Sequence, residues 1–139
     1  MALRTISAAG GNWNSTGTWV EGVVPTTNDD ILGLSTSGNL TVNVNTARVN
    51  MNLENYLGTL TLNSLLTFGG GGTVSFSPTM SITTSTTFTE NNCMDFSGTI
   101  TRIKPNGKTF PCWIRFWSTT TTLVEDIVCT NTIALAMGN

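Results

Sequence analysis

Short two-residue alternations of apolar side chains recur along this chain at a nearly constant offset of about 20 residues, and few architectures absorb such a pattern. Val42 and Val44 alternate with Asn, as do Val49, Met51 and Leu53, while Leu60 and Leu62 alternate with Thr. Val74/Phe76, Met80/Ile82, Ile114/Phe116 and Ile133/Leu135/Met137 repeat the spacing. A period of two is that of a half-buried strand, and no window carries a sustained helical stripe. Clusters of Gly, Asn, Pro and Ser separate the runs, which predicts short strands and an all-β chain.

The longer offset aligns Leu40, Leu60, Met80 and Ile100, then Val42, Leu62 and Ile82, then Val74, Met94 and Ile114. It also aligns Tyr56, Phe76, Phe96 and Phe116, and Phe68 with Phe88. A constant offset between like residues is what a β-solenoid produces, because each round stacks on the last at ~4.8 Å and turns one column of side chains into an interior ladder. Seven rounds would make a rod roughly 30 Å tall at that spacing. A β-sandwich or jelly roll with evenly spaced strands is the alternative. The register fades beyond residue 117, and Lys108 interrupts the Phe68/Phe88 column. The expected organisation is a single domain over 1–139, with residues 1–30 as an N-terminal cap and 31–139 as stacked short strands.

Composition agrees with this reading. The chain holds 27 Thr, 11 Ser, 15 Asn and 14 Gly in 139 residues, and hydrophobic residues make up 39%. Threonine favours strands and glycine supplies turns. Charged residues are only 10%, whereas a disordered chain is rich in charge and poor in apolar residues. Six scattered Lys and Arg with a net charge of −2 make no electrostatic footprint for nucleic acid. Without histidine there is no Ser-His-Asp triad, Cys-His pair or His-ligated metal. The first ten residues lack the apolar run of a secretory leader, and no stretch reaches the roughly 18 apolar residues of a membrane span. Synthesis in a cytoplasm, with no membrane partner, is expected. The sequons at Asn14 and Asn39 then read as chance in an Asn/Thr-rich chain.

Two stretches carry a resemblance. Residues 11–34 hold a Trp at 13, Thr18-Trp19, Gly22-Val-Val-Pro25 and an acidic pair, Asp29-Asp30, leading into a strand. Residues 105–139 hold Asn106-Gly107-Lys108-Thr109-Phe110 and Leu123-Val-Glu-Asp-Ile-Val128. Both are similar to segments of the Gly/Thr-rich β-solenoid repeat proteins of tailed phages and bacterial surfaces. The resemblance implies an architecture of stacked short strands and a structural role. Because a surface protein needs export and a virion protein assembles in the host cytoplasm, the phage source is the expectation. Where the family has small residues after Phe110, this chain has Pro-Cys-Trp-Ile-Arg-Phe-Trp, which marks a specialised contact.

Within that run, Trp113, Arg115 and Trp117 alternate with Cys112, Ile114 and Phe116. If the second set faces the interior, the first faces outward. Two tryptophans flanking an arginine are the residue types that dominate interface hot spots. Packing under the chain's own loop, or stacking on a sugar ring, are the competing roles. The terminal apolar strand adds Leu135 and Met137 as interface candidates, since nothing polar follows to cover it.

Other features read as structural. Asp29-Asp30 lacks the remaining ligands of a calcium loop and is expected at a turn and strand start. Glu125-Asp126, Glu54 and Glu90 offer carboxylates, but no pair is brought together for glycoside cleavage on sequence grounds. Cys93, Cys112 and Cys129 fall close to the repeat and are expected as stacked buried thiols. Gly69 to Gly72 lacks the Lys and Ser/Thr of a phosphate loop and reads as a corner. Thr83–Thr89 and Thr119–Thr122 are expected as exposed strand faces.

The expected function is therefore that of a non-enzymatic, cofactor-free and metal-free structural protein of a phage particle. A capsid decoration (cement) protein fits best, trimeric and contacting the major capsid protein. The alternatives are a fibre or tail component, or an exported bacterial adhesin module at the cell surface, each binding host glycan.

Overall fold

The computed structural model describes the chain except residues 28, 48, 70, 98–99, 118–120 and 136–139, with backbone alone at 100, 101 and 121. It is all-β, built from parallel sheets of short strands with one 3-10 turn at Thr16–Thr18.

The first sheet has six strands in the order β1 (Leu3–Thr5), β3 (Asp30–Leu32), β5 (Asn50–Leu53), β8 (Thr73–Phe76), β11 (Ile100–Lys104) and β14 (Thr121–Leu123). The second runs β2 (Gly11–Asn12), β4 (Leu40–Val42), β6 (Thr59–Leu62) and β9 (Ser81–Thr83). The third runs β7 (Leu66–Phe68), β10 (Met94–Phe96), β13 (Ile114–Phe116) and β16 (Ile133–Leu135). A two-stranded sheet joins β12 (Thr109–Phe110) to β15 (Val128–Cys129). Consecutive strands such as β5, β6 and β7 enter different sheets, and β8, β9 and β10 rejoin the same three in the same order. Parallel strands need a long crossover between them. Here strands of the other sheets supply it.

Alternation explains which way each side chain faces. In the second sheet Leu40 pairs with Leu60 and Val42 with Leu62, all buried, while Thr41 pairs with Thr61 and Thr61 with Thr83 on the outer side. In the third, Leu66, Met94 and Ile114 share one inward column. Phe68, Phe96 and Phe116 share the next, with ring centroids 4.9 Å and then 5.2 Å apart and ring planes nearly parallel. Phe76 meets Phe68 and Phe110 edge-on.

The expected columns hold in part. Leu40/Leu60, Val42/Leu62, Met94/Ile114 and Phe96/Phe116 are true neighbours. Leu60, however, pairs with Ile82 rather than Met80, and Phe96 stacks on Phe68 rather than Phe76. Phe76 lies opposite Leu53, and Val74 opposite Ile103 rather than Met94. The rounds are unequal. Leu60/Ile82 and Leu53/Phe76 are already spaced wider than Leu40/Leu60. The round from Phe68 to Phe96 is longer still because the chain leaves the sheets between β9 and β10. Thr84–Thr89 therefore form a loop rather than a strand face. Asn92 ties that loop down: its amide donates to the carbonyls of Leu62 and Thr87, and its oxygen accepts from the Thr89 N–H.

The two ends of the ladders are finished differently. At the first, Trp13 and Trp19 meet edge to face at 5.1 Å, both buried, and the Trp19 indole donates to the Trp13 carbonyl. The free edge of β1 is paired: Thr5 O accepts from Val20 N, Thr5 N donates to Glu21, and Ser7 N donates to Thr18 O. Asp29 accepts from Thr26 N, Thr26 Oγ1, Ala2 N and the Arg4 guanidinium, which secures the N-terminus. At the other end lie β14, β15 and β16, each at the edge of its sheet.

Candidate functional site: the outer face of β13

Strand β13 pairs with β10 on one side and β16 on the other, so Asp95, Arg115 and Ala134 form an outward row. Cys112 and Ile114 are buried and Phe116 packs against the core, which leaves Trp113, Arg115 and Trp117 on the opposite side, as the alternation requires. Trp113 is half-buried and Trp117 is 48% exposed.

Arg115 organises this face. Its Nη2 lies 3.2 Å from Asp95 Oδ2 across the ladder, and its guanidinium carbon sits 5.6 Å from the Trp117 ring centroid. A guanidinium over an indole face is attracted by the ring quadrupole. Burial pushes the Asp95 carboxyl up from its ordinary range, opposed first by the Arg115 charge and by hydrogen bonding to it. The pair is incompletely satisfied, since Asp95 Oδ1 and Arg115 Nε are buried without a hydrogen-bond partner among the described residues. A buried ion pair of this kind contributes orientation more than stability. Its effect is to hold one tryptophan ring in place at the surface.

The remaining candidates fall as follows. Leu135 continues the Phe68, Phe96, Phe116 column and is 75% exposed, whereas Met137 lies outside the described residues. Cys93 and Cys112 are buried free thiols, pushed up to about 11 and about 12 by burial, and Cys129 donates its S–H to the Cys112 carbonyl at 3.0 Å. Thiols so raised are weak nucleophiles. Asp29 sits in a turn and Asp30 opens β3. Glu125 accepts from the Gly107 N–H. Gly72 lies against the Asn50 side chain, so closely that a Cβ there would come within 2.9 Å of it. Among the described residues no three His, Cys, Asp or Glu side chains gather as metal ligands.

Sequence reasoning missed one feature near this region. Asn63, Thr86, Thr87, Thr89, Asn91 and Asn92 line a shallow recess of about 380 Å³ formed by the loop between β9 and β10. The paired Asn91-Asn92 after a threonine cluster, which interrupts the strand alternation, was the available signal. Compared with known proteins, the chain matches no family model, no curated protein and no solved structure.

Proposed function

We propose that the parallel sheets are the faces of a β-solenoid of six unequal rounds, and that the protein is a non-enzymatic structural component of a phage particle. Within the particle it acts as a capsid decoration protein. It is made in the host cytoplasm, trimeric through β13, and bound to the major capsid protein. The observation that supports this most is Trp117, half-exposed and already held by Arg115 and Asp95. A pre-ordered aromatic anchor loses little side-chain freedom on docking, which is the property of an interface hot spot. The sequence resemblance, not the geometry, is what directs the reading to a phage. A decoration protein that binds only the assembled lattice stabilises it by mass action. The Thr, Ser and Asn skin, poor in charge, suits a permanent outer surface.

Light scattering on the wild type and on Trp113→Ala/Trp117→Ala tests the trimer. A wild-type mass that is a multiple of three chains, cut threefold in the double variant, is the expected result. A monomeric wild type, or a mass the double variant leaves unchanged, removes β13 as the subunit contact. Pelleting with shells of the major capsid protein encoded in the same genome tests the partner, and no co-sedimentation would reject it. A second reading rests on the same ring: Trp117 as a sugar-stacking platform in a fibre, tail or adhesin module, which a glycan array would detect.

A further inference from the structure

The chain contains a single Asn-Gly pair, Asn106-Gly107, in the turn after β11. In such a pair the backbone nitrogen of the glycine can attack the side-chain carbonyl carbon of the asparagine, since glycine has no Cβ to obstruct the approach. Here Gly107 N would lose its proton and bond to Asn106 Cγ, the bond from Cγ to Nδ2 would break, and Nδ2 would leave as ammonia. A five-membered succinimide remains, which water opens at either carbonyl to aspartate or isoaspartate. One water enters and one ammonia leaves, with no oxidation or reduction.

Three restraints in the folded molecule oppose that attack. Asn106 has φ 52° and Gly107 has φ 72°. A non-glycine residue at such a φ lies in the left-handed region, where ψ is about +50°. That ψ turns the following nitrogen away from the residue's own Cβ, so Gly107 N stands on the far side of Cα from Asn106 Cγ. The Asn106 amide is also held elsewhere, because Nδ2 donates to the Phe76 carbonyl at 2.7 Å. The Gly107 N–H, in turn, donates to Glu125 Oε2 at 3.2 Å. A carboxylate beside that nitrogen disfavours the anion the attack requires. Phe76 lies 30 residues from Asn106 and Glu125 lies 18 from Gly107, so these two restraints exist only while the strands are stacked. Water nonetheless reaches the pair: Gly107 is exposed, and a Cβ built on it would meet nothing within 4 Å.

We propose that Asn106-Gly107 is a latent deamidation site, held silent by the stacked strands and released when the turn between β11 and β12 opens. The change is one-way. An aspartate at this position turns a carboxylate oxygen toward the Phe76 carbonyl, acceptor against acceptor, beside the Glu125 carboxylate that already faces the turn. The tie to β8 is then lost, and an acceptor is left unpaired. Isoaspartate also lengthens the backbone of the turn by a methylene. An opening that lasts long enough is thereby recorded covalently, and the marked turn no longer closes against β8.

Peptide mapping by mass spectrometry, after incubation at mildly alkaline pH, follows conversion at Asn106. Folded protein is compared with protein unfolded in urea, and a synthetic peptide of residues 103–110 measured in both buffers corrects for urea itself. Conversion in the folded protein is expected to be at least about tenfold slower, because the reaction must wait for local opening. A folded rate equal to or above the unfolded one overturns the latency. Asn106→Asp tests the consequence, with a urea midpoint below that of wild type as the expected result. Wild-type protein converted in urea and returned to native buffer gives the same comparison without a substitution. A full wild-type midpoint in either sample overturns the one-way loss.

Discussion

Asp29 shows how much one side chain can organise in a chain with only eight acidic residues. Four donors converge on its carboxylate, from Thr26, Ala2 and Arg4, and it is almost fully buried. The Thr26 backbone N–H is the largest cause holding its carboxyl below the usual aspartate range. A carboxylate depressed in the folded state contributes stability that is present above its unfolded value, near ~3.9, and is lost as pH falls through the folded one. Asp29→Ala is therefore expected to cost roughly 2 kcal/mol at neutral pH, the size of hydrogen bonds to a charged group. Urea unfolding at a series of pH values checks it, and the gap to wild type should close on acidification. A gap constant with pH would assign the loss to packing instead. The sequence located Asp29 at a turn, but not the convergence of the distant Ala2 and Arg4, which depends on β1 lying beside β3.

Elements here are too short to stand alone, since most are two to four residues and each is held by neighbours from other parts of the chain. Their joints must accordingly be tight. Gly38 shows this best: a Cβ on it would fall 2.6 Å from both Ala8 O and Gly10 N, which are backbone atoms that cannot swing aside. Gly38→Ala should force β2 away from β4 and cost more than about 1 kcal/mol. Gly17→Ala, with only the Ser15 hydroxyl 3.9 Å away, should stay within about 0.5 kcal/mol of wild type. Comparing urea midpoints of the two variants decides the point, and equal midpoints would refute the close approach. At the turn after β11, Asn106 and Gly107 both adopt positive φ, the conformation these two residue types tolerate best. That turn was readable from Asn-Gly alone. Which sheet the strand after it joins was not, because the same turn chemistry serves a hairpin or a corner.

At the scale of the whole molecule, the ladders have one protected end and one open end, and local stability should follow that polarity. Backbone hydrogen bonds in β5 and β8, paired on both sides, require extensive opening before exchange, whereas an edge strand opens alone. Hydrogen exchange on dilute, unassociated protein is expected to be slowest in β5 and β8 and fastest in β14 to β16, with β1 intermediate because Thr18–Glu21 pairs its edge. Uniform protection would contradict the polarity.

The amino-acid sequence by itself determined the strand class, the side of each strand that faces inward, and the recurrence of like residues near 20. All of these follow from the fixed period of two along a strand and from the spacing between neighbouring rounds. It thereby placed Trp113, Arg115 and Trp117 outward and Cys112 and Ile114 inward. Only the tertiary structure decided which rounds meet. An insertion such as Thr84–Asn92 lengthens the one round that contains it without altering the local pattern, so Phe96 stacks on Phe68 rather than Phe76, while the next round returns to the shorter offset. Likewise the pairing of Asp95 with Arg115, 20 residues away, and the exposure of Leu123, Ile133 and Leu135 are properties of stacking. Alternation is written locally in the residues, whereas stacking depends on the length of chain between them.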